Sequence, residues 1–151
     1  MSSFTIRVYG IFIEDGNVLV SDEYIYGKFI TKLPGGGLEF GEGTIDGLKR
    51  EMIEETFQPV EVLEHFYTTD FFVPSAFNPE KQVISIYYMI KFISPVKFWI
   101  TQKQFDFVEL KDEAQSFRWL KISEIAEDSF TLPIDKKVGE MLKAKFGDSS
   151  N

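Results

Sequence analysis

The 151-residue sequence has no cysteine and only one histidine, and both shortages exclude kinds of catalytic site. Without cysteine the chain forms no disulfide, no zinc thiolate site and no thiol nucleophile. His65 stands alone on a predicted strand, which makes a Ser–His–Asp triad a weak interpretation and a structural or surface role the simpler one. The lack of cysteine is compatible with a reducing compartment, and we expect the protein to be cytoplasmic.

Long apolar runs and an excess of positive charge are also missing. No apolar run approaches the roughly 18 residues of a membrane span, and the opening MSSFTIRVYG lacks the apolar core of a signal peptide. Lysine and arginine number 16 against 24 acidic residues, giving a net charge of −8. Nucleic-acid grooves and anionic membranes need clustered basic side chains, so we expect neither partner. A small phosphorylated substrate is still compatible with this charge if metal ions or a few local basic residues offset it.

The composition is that of a folded protein, with 44% hydrophobic and 26% charged residues. A length of 151 residues fits one domain with a substantial core, and we place that domain at residues 1–146. Residues 147–151 are expected to form a disordered tail. Sixteen phenylalanines are unusual, so most should pack inside while some line a ligand pocket or a subunit interface.

Apolar and polar residues alternate over several short stretches, which is typical of β-strands, and recur at helical spacing in others. Asp15-Gly16 is a hairpin signal, and Pro34 followed by Gly35–Gly37 is expected to break regular structure. The predicted strands are 4–14, 17–21, 29–33, 60–72, 82–93 and 115–120, and the predicted helices are 44–56 (with Thr44 as N-cap), 122–127 and 134–146. This order predicts an α/β fold, an α/β/α sandwich around a mixed β-sheet.

Residues 36–58, GGLEFGEGTIDGLKREMIEETFQ, are the most informative stretch of the chain. Glu51, Glu54 and Glu55 are spaced i, i+3 and i+4, so on a helix they share one face. Three carboxylates crowded in this way repel each other, and a hard divalent cation such as Mg²⁺ or Mn²⁺ removes that repulsion. The spacing therefore predicts a metal site.

The glycines that precede this helix indicate what the metal would act on. Gly35–Gly37 lack Cβ atoms, so backbone amides there can approach bulky phosphate oxygens. A helix N-terminus adds N–H groups and a positive dipole end. A metal beside such a loop would neutralise a diphosphate and activate a water, and one glutamate could accept the proton from that water. Arg7, Lys28 and Lys32 could also contact phosphate, although exposed strand charges are the simpler interpretation.

The segment resembles the Nudix box, a pattern of one glycine, a glutamate, and a helix bearing Arg-Glu-apolar-x-Glu-Glu. The positions in register are Gly36, Glu42, Arg50, Glu51, Met52, Glu54 and Glu55. Two positions depart from the pattern, because Phe57 stands where the box has its last glycine and Gln58 where it has an apolar residue. A glycine there closes the helix with positive φ, a conformation that costs Phe57 steric energy. We therefore expect the helix to end differently or to run longer.

The resemblance implies the same sandwich architecture and a role for each matching residue. Glu51, Glu54 and Glu55 would be the main metal ligands, with Glu54 or Glu55 nearest the attacking water. Gly36 would supply a backbone group near the metal or phosphate. Arg50 would organise the helix through ion pairs with Glu42 or Glu54. Glu113, before a late strand, resembles a position where some members place an additional ligand or base. A homodimer is expected from the resemblance and from the phenylalanine surplus.

The substrate is not determined by the box. Nudix enzymes typically split a nucleoside diphosphate joined to another group. Pro74 stands sixteen residues after Gln58, which resembles a placement in ADP-ribose and ADP-sugar hydrolases, although proline is common in loops. Nucleoside triphosphates, nucleotide sugars and damaged nucleotides stay open. The rival functions are a nucleotide- or nucleotide-sugar-binding regulatory domain of this fold without catalysis and a structural or assembly protein.

Overall fold

The computed structural model describes residues 1–148 and separates the chain into two units. Unit 1 consists of Met1–Phe12 and Pro34–Phe98, and unit 2 of Ile13–Leu33 and the chain from Trp99 onward. The strands are β1 (Ser3–Ile11), β2 (Ile13–Glu14), β3 (Asn17–Ile25), β4 (Lys28–Lys32), β5 (Gly35–Gly37), β6 (Val60–Thr68), β7 (Lys81–Phe92), β8 (Ile100–Thr101) and β9 (Ala114–Lys121). The helices are α1 (Thr44–Thr56), a 3₁₀ helix (Ile122–Glu124) and α2 (Pro133–Phe146). The predicted mixed α/β class is confirmed.

Unit 1 is a four-stranded sheet with one helix packed on it. The strand order is β5-β1-β7-β6, in which β1 and β7 are parallel and the other neighbours are antiparallel. Helix α1 lies against β5, β6 and β1. The sequence places Ile45, Leu48 and Met52 along one apolar stripe of this helix, and of these Leu48 and Met52 are fully buried, whereas Ile45 is 44% exposed. The buried stripe fixes the rotation of the helix, and the glutamates lie beside it.

Unit 2 contains the second mixed sheet, of order β2-β3-β9-β8, with β4 paired to β3. Only the β8–β9 pair is parallel among the strands described in this unit. Helix α2 begins with Pro133 at its first turn, where proline is pre-organised, and buries Val138 and Leu142. An added Cβ at Gly139 would be 2.9 Å from Phe130, so the glycine permits close helix packing.

Several predicted boundaries are corrected by the structure. Gly35–Gly37 were expected to break regular structure, but they form β5, because their amides and carbonyls pair with β1. The predicted strand 4–14 is interrupted at Phe12, and the short strand β8 was missed. Lys32 is buried in an ion pair with Glu23, so it is not an exposed strand charge. Of the predicted tail, residues 149–151 lie outside the described residues. None of the helices described over residues 1–148 has the length and apolarity to cross a membrane.

Helix α1 ends at Thr56 as predicted, but the capping at both of its ends differs from prediction. Its N-cap is Gly43, while the Thr44 hydroxyl shares a hydrogen bond of 2.7 Å with the Tyr88 hydroxyl. The helix ends at Thr56, and Phe57 adopts the left-handed conformation (φ 61°, ψ 18°), donating its N–H to the Ile53 carbonyl. The expectation that Phe57 would prevent a glycine-like ending was therefore wrong. The next residue, Gln58, fixes the backbone that follows the helix. Its buried side chain donates a hydrogen bond to the Pro95 carbonyl and accepts one from the Lys97 amide.

Candidate active site

The glycine strand β5 forms the floor of the candidate site. Its register with β1 pairs Gly35 with Tyr9 and Gly37 with Arg7. Gly35 has a φ of 145°, and a Cβ there would lie 2.8 Å from the Tyr9 Cα, so no other residue fits. This close approach brings a polar backbone edge next to helix α1.

Two of the three predicted ligands lie along this strand. Glu55 accepts a hydrogen bond of 3.0 Å from the Gly35 N–H through Oε2. Glu51 packs so closely on Gly36 that an added Cβ would be 2.7 Å from its Oε1. Because Glu51 and Glu55 are one helical turn apart, both reach neighbouring glycines of a single strand. Glu54 is more exposed, at 56%, and its carboxylate is directed to Arg50.

Arg50 connects the glycine strand, the loop before α1 and the helix itself. Its Nε and Nη2 donate to the Glu42 carboxylate at 3.0 and 2.6 Å, and Nη2 also donates to the Gly37 carbonyl at 2.9 Å. Its Nη1 donates to Glu51 at 3.1 Å and to Glu54 at 3.2 Å. The predicted ion pairing of Arg50 with Glu42 and Glu54 is confirmed. The contact with the Gly37 carbonyl was missed, since a backbone acceptor leaves no signal in a motif.

Two of these groups, Glu42 and Arg50, have pKa values shifted in favour of their charged forms. The hydrogen bond from Arg50, aided by the backbone N–H of Glu39, lowers the pKa of Glu42 from 4.5 to about 2. The hydrogen bond to Glu42, followed by the interactions with Glu51 and Glu54, raises the pKa of Arg50 above its ordinary value. One guanidinium thus offsets the mutual repulsion of several carboxylates.

The donor set has the chemistry that a hard divalent cation needs. Carboxylate and backbone oxygens are the ligands preferred by Mg²⁺ and Mn²⁺. Glu51 borders Gly36 and Glu55 borders Gly35, so carboxylate oxygens of α1 and backbone oxygens of β5 lie close together. Within residues 1–148, however, no three His, Cys, Asp or Glu side chains are grouped as around a metal ion. The Glu54 carboxylate is paired with Arg50, at 3.2 Å.

Glu113, the additional predicted ligand, lies in unit 2. It is exposed, adopts a positive φ of 69° just before β9, and donates its N–H to the Tyr24 carbonyl. Its role therefore stays a prediction. His65 is exposed on β6 and contacts the Thr68 hydroxyl at 2.7 Å, in keeping with the surface role expected for it.

Comparison with known proteins relates the chain to one family. The family model described as NUDIX domain matches residues 4–141, which includes the glycine strand and all of α1. No curated protein sequence matches the chain. The solved structures described next are 16–19% identical to the chain.

Three solved structures illustrate the fold similarity. The solution structure of the Escherichia coli ORF135 protein has a TM-score of 0.71 and 17% identity, covering 95% of this chain and 91% of that one. A NUDIX hydrolase from Nitrosomonas europaea has a TM-score of 0.65 and 19% identity, covering 94% and 90%. An ADP-ribose pyrophosphatase from Streptococcus suis has a TM-score of 0.61 and 16% identity, covering 97% and 92%. At these identities the similarity concerns the fold.

Proposed function

Since the chain belongs to the Nudix domain family, whose enzymes act on phosphoric anhydrides, we propose that it is a metal-dependent pyrophosphohydrolase. Its substrate is a nucleoside diphosphate linked to another moiety, of the ADP-ribose or nucleotide-sugar type or a nucleoside triphosphate. One observation carries the proposal: carboxylates of a single helical face border a glycine strand, with Arg50 joining the helix to that strand. Such an arrangement suits a substrate that carries several phosphate charges.

The proposed metal is Mg²⁺ or Mn²⁺. Glu51, Glu54 and Glu55 would hold it, together with the Gly36 backbone. When bound, such a cation neutralises phosphate charge and makes a water more acidic. The ligand chemistry supports this assignment, because every donor is a hard oxygen.

The remaining roles belong to the chain itself. The backbone of Gly35–Gly37 would receive the phosphates, because no Cβ blocks their approach. Glu54 or Glu55 would accept the proton of the attacking water as general base. Arg50 would keep the carboxylates in place through its ion pairs. Hydrolysis of the anhydride then yields two phosphate-bearing products.

Two observations bear on the choice among these substrates. Pro74, whose position favours the ADP-sugar type, is exposed and forms a bridge with Gln82 of β7. The Streptococcus suis protein of the same fold is named an ADP-ribose pyrophosphatase. These two observations support the ADP-ribose type, and nucleotide sugars and nucleoside triphosphates stay within the proposal.

We also propose that residues 1–146 act as one domain, since a single family model spans most of them. A homodimer and a cytoplasmic location complete the proposal. The exposed aromatic side chains, among them Phe40, Phe57 and Phe72, support self-association. The absence of cysteine supports the location.

Product analysis with a substrate panel tests the activity. The protein is incubated with Mg²⁺ and ADP-ribose, a UDP-sugar or a nucleoside triphosphate, and the products are separated by ion-exchange chromatography. We expect two phosphate-bearing products from at least one compound, and none after chelation with EDTA. Glu54→Gln and Glu55→Gln should each lower turnover about 10²- to 10⁴-fold with the fold intact.

Two exposed glutamates of β6 provide matched controls. Glu61→Gln and Glu64→Gln remove the same charge from unit 1 and should leave turnover unchanged. Normal rates in both Glu54→Gln and Glu55→Gln would contradict the proposed site. A ligand that raises the melting temperature without releasing product would instead support a binding domain without catalysis.

A further inference from the structure

Arg7 lies directly opposite Gly37 in the β1–β5 register. On its other side, in β7, its register partner is Ser85, so the neighbours of Arg7 across both strands are small. Cross-strand partners project to the same face of a sheet. The guanidinium of Arg7 therefore lies on the same face of the sheet as Gly37, beside the glycine strand.

Tyr9 holds this guanidinium in position. The Arg7 Nε donates a hydrogen bond of 2.5 Å to the Tyr9 hydroxyl, and the guanidinium carbon is 5.6 Å from the centre of the Tyr9 ring. Tyr9 is itself buried and stacks on Tyr87, with ring centres 5.1 Å apart. The guanidinium group of Arg7 contacts Tyr9 through Nε, and its Nη groups lie nearest Gly37.

The three glycines of β5 differ in what surrounds them. A Cβ on Gly35 would meet the backbone of Tyr9, and a Cβ on Gly36 would meet the Glu51 carboxylate. A Cβ on Gly37 would meet, among the described atoms outside its chain neighbours, only Arg7 Nη1, at 3.9 Å. The space over Gly37 is thus open and bordered by a positive charge, in a chain whose net charge is −8.

We infer that Arg7 and the open face of Gly37 form a phosphate-binding subsite, which holds the phosphate of the substrate farther from the carboxylates of α1. This inference rests on the proposed function and deepens it. A guanidinium presents a planar fork that matches phosphate oxygens, and charge-assisted hydrogen bonds of this kind are strong. Arg7 binds the substrate, whereas Tyr9 is a positioning residue that orients Arg7.

Calorimetric binding of two non-hydrolysable probes tests the inference without relying on turnover. The probes are α,β-methylene-ADP and methylenediphosphonate, each titrated in the presence of Mg²⁺. Arg7→Gln should weaken both probes by about tenfold or more, because a charge-assisted hydrogen bond is lost. Arg7→Lys should lie between this variant and the wild type, since lysine keeps the charge but not the fork.

Gly37→Ala and Tyr9→Phe examine the same subsite from its two sides. Gly37→Ala fills the open space, so it should weaken both probes while leaving the melting temperature near that of the wild type. Tyr9→Phe should weaken them less than Arg7→Gln, because the charge stays. Lys81→Gln, an exposed charge on β7 of the same sheet, is the control and should bind as the wild type does.

The binding losses of the Arg7 variants, compared between the two probes, decide whether Arg7 contacts phosphate. Equal losses for both probes in Arg7→Gln, beyond any loss in Lys81→Gln, support a phosphate contact. A loss for the nucleotide alone, or no loss, overturns the inference, as does a wild type that binds neither probe. If Arg7→Gln fails to fold, Arg7→Lys and Gly37→Ala carry the same test. A wild type that binds in an Arg7-dependent way but hydrolyses nothing would contradict the proposed function and leave the subsite supported.

Discussion

The Arg50 guanidinium donates two hydrogen bonds to the Glu42 carboxylate, from Nε at 3.0 Å and from Nη2 at 2.6 Å. Such fork-shaped contacts are stronger and more directional than contacts to a single point charge. Glu42 lies in the loop before α1, so this pair joins the loop to the second turn of the helix. The same guanidinium reaches the Gly37 carbonyl, and one side chain thereby sets the distance between glycine strand and helix.

Acid should weaken the folded state through Glu42. Its folded pKa is about 2, below the ordinary value of 4.5, so its contribution to stability is present above pH 4.5 and is lost as the pH falls towards 2. Glu42→Gln removes this contribution, so the variant should be less stable at pH 6 and lose less further stability on acidification. Urea unfolding at pH 6 and pH 3 measures both effects.

Glu39→Gln is the control for this prediction, because Glu39 is mostly exposed and its carboxylate lies 3.7 Å from Arg50. It should retain the acid dependence of the wild type. If the wild type and Glu42→Gln lost equal stability between pH 6 and pH 3, the stabilising role of the ionised Glu42 would be refuted.

Replacing Arg50 with lysine should disrupt the site although the charge is kept. Lysine offers one ammonium point, which cannot serve Glu42, Glu51 and the Gly37 carbonyl together. We expect Arg50→Lys to lower the free energy of unfolding by about 1–3 kcal/mol, a range that allows for the partial exposure of the side chain. Urea unfolding measures this change, and turnover should fall with it because Glu51 and Glu54 lose their anchor.

Lys49→Arg is the matched control, because Lys49 is exposed on the same helix. The free energy of unfolding of Lys49→Arg should be within about 0.5 kcal/mol of the wild-type value. An Arg50→Lys variant as stable and as active as Lys49→Arg would show that the fork of Arg50 is not needed.

The face of α1 was predictable because it depends on local spacing alone. Helical periodicity determines that Glu51 and Glu55 share a side, and the buried stripe of Leu48 and Met52 determines which way that side turns. The element order likewise predicted the mixed α/β class. What each glutamate contacts was not predictable, because Gly35 and Gly36 reach α1 through strand pairing.

Strand β5 and the end of α1 could not be predicted for related reasons. Glycine has no side chain and low strand propensity, so only the pairing with β1 identifies Gly35–Gly37 as a strand. Phe57 disfavours positive φ locally, but tertiary hydrogen bonds of Gln58 to a distant loop impose that conformation. In both places a contact remote in sequence overrides the local preference.

Restoring glycine at position 57 should stabilise the protein. Phe57 is 87% exposed, so its side chain contributes little burial to offset the strain of a left-handed conformation. Phe57→Gly should raise the free energy of unfolding by about 1 kcal/mol, since glycine adopts positive φ without a Cβ clash. Thermal unfolding monitored by circular dichroism measures the gain. Phe57→Ala keeps the strain and should change little, so an equal gain in both variants would contradict the explanation.

A buried ion pair in unit 2 should be the most sensitive polar contact of its sheet. Asp22 is fully buried and accepts two hydrogen bonds from Arg118, one from the Thr31 hydroxyl at 2.7 Å and one from the Phe105 amide at 3.1 Å. Asp22→Asn leaves the charge of Arg118 buried without its counter-charge, and we expect a loss of about 3–5 kcal/mol in unfolding free energy. Thr31→Val removes one donor and should cost less, about 1 kcal/mol. In urea unfolding, the free energy of unfolding of Asp22→Asn should be well below that of Thr31→Val. The exposed control Asp128→Asn should have a value near that of the wild type. If Asp22→Asn lost less unfolding free energy than Thr31→Val, the charge of Asp22 would not be the main source of stability in this ion pair. The comparison is informative because Asp22→Asn removes a full counter-charge, whereas Thr31→Val removes only one hydrogen-bond donor.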